Sequence, residues 1–406
     1  MLSKKLANDF WWVGTLDPGL RVFDIVMRTE YGTTYNSYLL KGSERTVLFE
    51  AAKAPFLDDY LAKLAEVAPI EDIDILVLDH TEPDHTGTVG KLLQLNPRLE
   101  IYATAGGLNL IREITNTDVK GTAVKDGDEL DIGGRTLRFI TAPNLHWPDT
   151  MFTYIPEEKI LVTCDAFGAH YSYGNIVYDD GLDKEAHMKT ALYYFDNIMG
   201  PFKADVLRAV EKIDGLEIDL IATGHGPVLT ENPRFMVDLY RQWASAPAKD
   251  GGKTVVIPYV SAYGYTKRLA EEIAEGIRAA GGVGVKLYDM VDTGTADVME
   301  EIDRADGFVL GTPTIVGEAL PPIWDIAVSL NARMHGGKFA GVFGSYGWSG
   351  EGVPHIMDRL RQLKLKLVGE GLRVRFKPTD DDLMAAFEYG KVFGAAVLTG
   401  KLPEQG

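Results

Sequence analysis

The chain has 406 residues, 46% hydrophobic and 25% charged, which is long for one domain and apolar enough to bury two sizeable cores. A net charge of −18 argues against nucleic acid and anionic membrane surfaces as partners and favours a small basic redox protein steered by the field. A single cysteine, Cys164, excludes an intrachain disulfide, a four-cysteine iron site and an iron–sulfur cluster of the chain's own. Met1-Leu2-Ser3-Lys4-Lys5 has no apolar signal core, and no apolar run approaches a membrane span, so a soluble cytoplasmic protein is expected.

Residues 1–50 read as β-rich. Phe10-Trp11-Trp12-Val13, Val22-Phe23-Asp24-Ile25-Val26, Tyr38-Leu39-Leu40 and Thr46-Val47-Leu48-Phe49 are short aromatic and β-branched runs, broken at Pro18-Gly19 and Lys41-Gly42-Ser43. Phe56, Tyr60, Leu61 and Leu64 then mark one face of a helix. The apolar run over residues 73–78 predicts a buried strand. It leads into His80-Thr81-Glu82-Pro83-Asp84-His85, where four side chains that can bind metal occupy six positions. Pro83 excludes a strand or helix interior there, and Gly87 lets the chain turn into the helical pattern of Val89, Leu92, Leu93 and Leu95. Only 8 histidines occur in the chain, so two beside two acids in one loop favour a metal site over a solvated turn.

The same device recurs downstream. Leu137-Arg138-Phe139-Ile140 leads to His146, Leu161-Val162-Thr163-Cys164 to Asp165, and Leu220-Ile221-Ala222-Thr223 to Gly224-His225-Gly226. A lone His146 or His225 reads as a structural histidine, and a lone Asp165 as a helix cap. Together with the first motif they form a series. Open sheets build their sites beyond the carboxyl ends of strands, and four strand ends here present only His, Asp and Glu.

Residues 245–253, Ser-Ala-Pro-Ala-Lys-Asp-Gly-Gly-Lys, break the pattern and mark a boundary between a first domain, 1–248, and a second, 254–402. The second opens with the strand Thr254-Val255-Val256-Ile257-Pro258-Tyr259-Val260. The loop Ser261-Ala262-Tyr263-Gly264-Tyr265-Thr266 follows, and then a helix to about Ala280. Strand, hydroxyl-rich loop and helix N-terminus make a phosphate cradle, and the absence of G-x-G-x-x-G argues against a dinucleotide. Residues 284–288, 307–310, 339–343 and 365–368 predict the other strands of a five-stranded doubly wound sheet. Two of these strands end in loops rich in glycine, hydroxyl and aromatic residues. One is Thr312-Pro313-Thr314-Ile315-Val316-Gly317, the other Ser345-Tyr346-Gly347-Trp348-Ser349-Gly350. A tryptophan in such a loop is poorly placed for a core.

The series His-x-Glu-x-Asp-His, His, Asp, Gly-His-Gly resembles the metallo-β-lactamase fold in its flavodiiron variant, over residues 1–245. The second half resembles flavodoxin over residues 254–400. The expected fold class is α/β: an N-terminal metallo-β-lactamase-like αβ/βα sandwich plus a C-terminal flavodoxin-like doubly wound parallel sheet. Zinc hydrolases of the first fold carry His where this chain has Glu82, and a carboxylate there shifts preference toward iron. The resemblance implies that His80, Glu82 and His146 hold one non-haem iron, and Asp84, His85 and His225 a second. Asp165 would bridge them, with the metals ~3.5–4 Å apart. It implies that Ser261, Tyr263, Gly264, Tyr265 and Thr266 bind the FMN phosphate. Thr312, Pro313, Thr314, Ile315, Val316 and Ser345, Tyr346, Gly347, Trp348, Ser349, Gly350 would flank the flavin ring.

The activity so implied is reduction of O2 to water, of nitric oxide to nitrous oxide, or both, with electrons reaching the irons through FMN. Without a cysteine quartet the chain resembles the minimal two-domain class, fed by a separate donor such as rubredoxin or the deazaflavin F420. The family's head-to-tail homodimer, or a dimer of dimers, is expected. The alternative is a zinc-dependent hydrolase fused to a flavodoxin-like module. His170, Tyr193 and Tyr194 stand either as outer-sphere or proton-supplying groups at the irons or as packing residues. His187, His335 and His355 have no visible role, and Cys164 reads as a small buried residue.

Overall fold

The computed structural model describes residues 2–24, 27–174, 177–245 and 252–403. The chain divides into two compact units, Met1–Ala246 and Pro247–Gly406. The composition break at 245–253 falls largely on residues 246–251, which lie outside the described residues, as do Ile25 and Val26 of an expected strand.

The first unit is built on two sheets. One has seven strands in the order Lys4–Ala7, Phe10–Trp12, Tyr38–Lys41, Thr46–Phe49, Ile75–Val77, Glu100–Thr104 and Gly121–Val124. It is antiparallel up to Thr46–Phe49 and parallel from there on. The other has five strands, Glu129–Asp131, Thr136–Thr141, Met151–Ile155, Ile160–Cys164 and Leu220–Thr223, and only its last pair is parallel. Alternate side chains of a strand point to opposite faces. Phe10, Trp12, Phe49 and Val77 of the first sheet therefore share one core with Met151, Val162 and Ala222 of the second. The outward faces are covered separately. Leu57–Val67, Val89–Leu95 and Ala105–Thr115 lie on the first sheet, and Lys184–Tyr194, Lys203–Ile213 and Pro233–Ala244 on the second. This is the expected αβ/βα sandwich.

The second unit is a parallel sheet in the order Val283–Asp289, Lys253–Tyr259, Gly307–Gly311, Phe339–Tyr346, with apolar clusters on both faces. The order 2-1-3-4 places the switch point beside the first strand, where a doubly wound sheet binds its ligand. The fifth strand differs from expectation. It is split into Lys366–Leu367 and Leu372–Arg375, which pair with successive parts of Phe339–Tyr346 and make the sheet six-stranded. Gly369 and Gly371, both at positive φ, break it. The stretch read as a plain loop after Gly311 contains a small hairpin, Thr314–Ile315 paired with Glu318–Ala319. Among the described residues no helix is long and apolar enough to cross a membrane.

One buried amide ties the first sheet to the second. Asn36 Nδ2 donates to the carbonyls of Thr223 and Gly226, each at 2.9 Å, and its Oδ1 accepts from Trp12 Nε1 at 2.9 Å. Its backbone N–H donates to Gly224 O. Asn36→Ala would leave these buried groups unpaired and should lower the unfolding free energy of the first unit by about 2–4 kcal/mol. Urea melts of the two proteins measure it, and coincident midpoints would show that the Gly224–Gly226 turn is held by other contacts.

Candidate functional site

Short apolar strands deliver the site's side chains, and each ends where its ligand-type residue begins. Ile75–Val77 runs into His80 and Glu82. The next four residues, Pro83–Thr86, form a helical turn with Pro83 in its first position, where a missing N–H costs nothing. That turn sets Asp84 and His85 side by side, both buried. Ile160–Cys164 ends at Asp165, and Leu220–Thr223 ends at Gly224-His225-Gly226. Glycine is required on both sides of His225. A Cβ at Gly224 would lie 2.9 Å from His85 Cε1. One at Gly226, whose φ is +78°, would lie 2.4 Å from Ala169 O.

All seven predicted ligands converge. His80, Glu82, His146 and Asp165 each offer a ligand atom within 4.8 Å of one another, and Asp84, His85 and His225 do the same. Asp165 joins the two sets. Its Oδ2 lies 3.0 Å from His146 Nε2 and 3.6 Å from His80 Nε2. Its Oδ1 lies 3.0 Å from His85 Nε2 and 3.4 Å from His225 Nε2. Glu82 Oε2 is 3.0 Å from His146 Nε2 and 3.2 Å from His80 Nε2, and Asp84 Oδ2 is 3.1 Å from His225 Nε2. His225 Nδ1 donates to Thr34 O at 2.6 Å, which fixes the tautomer and leaves Nε2 as the inward ligand atom.

The electrostatics favour positive charge at the centre. Burial alone would raise the Asp84 and Asp165 carboxyls. The charge of His85 and His225, with a hydrogen bond from His146 to Asp165 Oδ2, holds both well below the usual range. Burial alone would depress the imidazoles. The carboxylates outweigh it and raise His80, His85 and, to about 9, His146. Several inward atoms, among them both oxygens of Asp84, Asp165 Oδ1 and His85 Nε2, are buried with no hydrogen-bond partner. Unpaired buried acceptors of this kind are costly unless a cation satisfies them. The donor set, four imidazoles and three carboxylates around one shared acid, fits a pair of divalent first-row metals.

The outer groups divide. His170 is buried, its ring 5.1 Å from that of His225 and 4.9 Å from that of Tyr194, and its Nδ1 is 2.9 Å from Thr33 Oγ1. Burial and the charge of His225 push its pKa well down, so it is a neutral imidazole. Tyr194 packs at 6.3 Å from His225, whereas Tyr193, one residue before it, is 41% exposed. Three buried acids around the site carry no role in the sequence reading: Glu50, Asp79 and Asp149. Burial raises the Glu50 and Asp79 carboxyls well above their ordinary value. Glu50 ends the strand Thr46–Phe49, so the strand-end device could have revealed it; Asp149 had only its closeness to His146. The aromatic wall of Phe23 and Tyr35 beside His225 has no sequence signal.

In the second unit Gly264, at φ +80°, caps the helix Tyr265–Ala279, and Ser261 Oγ accepts from Lys267 N. Thr266 is buried and its Oγ1 lies 2.9 Å from Ser345 Oγ, tying two predicted FMN loops together. Thr312 and Pro313 are buried, and Thr312 Oγ1 is engaged by the backbone of Pro313 and Leu320. Thr314, Val316, Gly317, Gly347, Trp348 and Ser349 line one cleft, with Ile315 on the same hairpin; the Tyr346 ring packs against the backbone of Gly350. Val316 at 89%, Tyr263 at 83% and Trp348 at 82% are exposed. Large apolar groups left uncovered around a cleft, with a helix N-terminus in the same unit, fit a planar aromatic phosphate such as FMN.

Comparison with known proteins decides the family. Residues 33–226 match the ODP family beta lactamase model and residues 257–390 the flavodoxin model. The chain is 39% identical to the flavo-diiron protein FprA2 of Clostridium acetobutylicum, over 98% of this chain and 100% of that one. The chain belongs to the flavodiiron protein family. It is also 33% identical to the nitric oxide reductase of Moorella thermoacetica, over 97% and 98% of the two chains. The rubredoxin oxygen:oxidoreductase of Desulfovibrio gigas superposes with a TM-score of 0.70 at 28% identity, covering 98% of this chain and 99% of that one. As a flavodiiron protein the chain is an oxidoreductase whose cofactors are FMN and a non-haem diiron centre. The zinc hydrolase alternative gives way to this reading.

Asp165→Ala removes the acid shared by both ligand sets, and Glu82→Ala the carboxylate that distinguishes the set from that of zinc hydrolases. Each should cost most of the bound iron while FMN content stays at the wild-type level. Iron assay beside the flavin absorption reads both, and a full iron complement in either variant would refute the ligand set.

Proposed function

We propose that this chain reduces O2 to water, nitric oxide to nitrous oxide, or both, in a diiron module over residues 1–248 supplied with electrons by an FMN module over residues 254–402. His80, Glu82 and His146 would hold one iron and Asp84, His85 and His225 the other, with Asp165 the acid common to both sets. The observation that carries this reading is the division of Asp165, Oδ2 toward one set and Oδ1 toward the other. The relatives named for nitric oxide reduction and for rubredoxin-linked oxygen reduction support the two substrates and the donor.

Bound in these places, two ferrous ions and a reduced flavin hold the four electrons that take O2 to two waters, and nitric oxide coupling needs two of them. The protein's own part is selection and shielding. Three carboxylates offset most of the charge of two divalent cations, and the neutral imidazoles leave the remainder small. Phe23, Tyr35, His170 and Tyr194 pack their rings around His225 and shield that side of the pocket. Glu82 and His146, with side chains 16% and 17% exposed, are the open side. Ser261, Tyr263, Gly264, Tyr265 and Thr266 take the FMN phosphate, and the residues from Thr312 to Val316 and from Ser345 to Gly350 take the ring. A small redox protein of the rubredoxin type is the donor we infer, with the deazaflavin F420 as the other candidate; the net charge of −18 favours a donor that presents a basic face. A head-to-tail homodimer, or a dimer of dimers, is the assembly we infer, each flavin serving the partner's irons.

Reduced rubredoxin supplied to the purified protein should support consumption of O2 at an electrode, of nitric oxide, or of both. Asp165→Ala should abolish it with flavin reduction intact. A colourless protein that binds zinc and consumes neither gas would overturn the reading.

A further inference from the structure

The two ligand sets are not supported alike. An imidazole that binds metal through one nitrogen presents the other to the protein, and what it meets there sets its tautomer, its orientation and its basicity. His225 presents Nδ1 to a neutral backbone carbonyl, Thr34 O. His85 has Glu50 and Cys164 nearby, each with a ligand-type atom within 4.8 Å, but no hydrogen bond is made to either of its ring nitrogens. His80 is different. Its Nδ1 faces Asp149 Oδ2 at 3.5 Å, both groups being buried. Among the described residues Asp149 is the one acid outside the seven ligands that lies within 4.0 Å of a ligand histidine's ring nitrogen.

Asp149 is held in that place from several sides. The backbone N–H and Oγ1 of Thr81, the residue after His80, both donate to its Oδ2, at 2.9 and 2.8 Å. Thr104 Oγ1 donates to its backbone carbonyl at 3.0 Å. Asp149 also sits three residues after His146, so one short stretch brings both a ligand of the first set and the acid behind another ligand of that set. At 3.5 Å the contact with His80 is long for a hydrogen bond and acts as a fixed charge facing a ring nitrogen.

We propose that Asp149 is a positioning residue that makes the two metal positions unequal, holding His80 so that the position of His80, Glu82 and His146 binds its metal more tightly than that of Asp84, His85 and His225. This rests on the ligand assignment above. A carboxylate behind an imidazole ligand makes it a stronger donor, and loss of such a partner typically weakens metal binding about 10–100-fold. Behind His225 stands a neutral carbonyl, and Glu50, beside His85, has no oxygen within 4.0 Å of that ring's nitrogens, so the effect falls on the His80 position.

Titration of the metal-free, FMN-loaded protein with cobalt(II), followed by its visible absorption, tests this. Cobalt(II) accepts the same nitrogen and oxygen donors as ferrous iron and reports its geometry in its spectrum. Wild type should take up two ions in distinguishable steps. Asp149→Asn keeps an oxygen that can accept from Thr81 and removes the charge. It should weaken the tighter step about 10–100-fold, bringing the two steps together, and leave the weaker step and the FMN content unchanged. Thr81→Val removes one bond to Asp149 but keeps its charge, and should titrate as wild type. The proposal is overturned if Asp149→Asn titrates as wild type. It is equally overturned if both steps weaken together in that variant, or if Thr81→Val reproduces the loss, since Asp149 would then serve only to hold the loop. A wild type that binds fewer than two ions would overturn the diiron assignment itself, separately from anything Asp149 does.

Discussion

Buried negative charge has to be matched, and the first unit is arranged around that requirement. Asp84, Asp165 and most of Glu82 are withdrawn from water within reach of one another. Three carboxylates so placed repel each other strongly in a medium of low dielectric. The neighbouring imidazoles compensate part of this, which is why the carboxyls stay far down and His80, His85 and His146 are drawn up. Acceptors on Asp84 and Asp165 nevertheless find no hydrogen-bond donor. A pair of cations answers both the charge and the missing donors, and the strands, the Pro83 turn and the glycines flanking His225 serve to hold that arrangement in place.

The surrounding backbone carries the cost of such crowding. Glu50, Asn144, Cys164 and Phe167, all at or near the strand ends that supply the site, have positive φ without being glycine. Conformations of this kind cost roughly 1–3 kcal/mol each and persist where the packing around them leaves no alternative. Here that packing is the core shared between the two sheets, together with the Asn36 clamp that pins the Gly224–Gly226 turn. Rigid sheets thus hold strained ends, and the strained ends hold the ligands.

The second unit solves the opposite problem. Its loops leave Val316, Tyr263 and Trp348 exposed. Val316 and Gly317 both have positive φ at the tip of the small hairpin, an uncomfortable conformation for a β-branched residue. Apolar surface of this extent is explained by a planar ligand lying against it. The hydroxyl pair Thr266 and Ser345 joins the helix N-terminus to the loop over residues 345–350, so the proposed phosphate and ring positions share one framework.

The candidate metal ligands were legible because chemistry that needs particular atoms leaves particular residue types at strand ends. His80, Glu82, Asp84, His85, His146, Asp165 and His225 all stand just beyond, or a few residues past, an apolar run, and the structure brings all seven together. The sandwich and the doubly wound sheet were legible for a related reason, since hydrophobic period and glycine placement are local properties of the chain. The split of the fifth strand at Gly369 and Gly371 depended on its pairing with Phe339–Tyr346, while the hairpin inside the Thr312 loop and the helical turn at Pro83 are local but too short to show a hydrophobic period. Nor were the roles of Glu50, Asp79 and Asp149 legible, since they read as ordinary acids until burial shows what they face. The pair Tyr193 and Tyr194 makes the same point, because adjacent helical residues point in different directions and only the fold shows that Tyr194 is the one beside His225. The sequence by itself determined which atoms could bind metal and flavin, since that is a matter of residue type. Only the tertiary structure decided which atoms face one another, because orientation and distance arise from packing between segments tens of residues, and for Asp84 and His225 more than a hundred residues, apart.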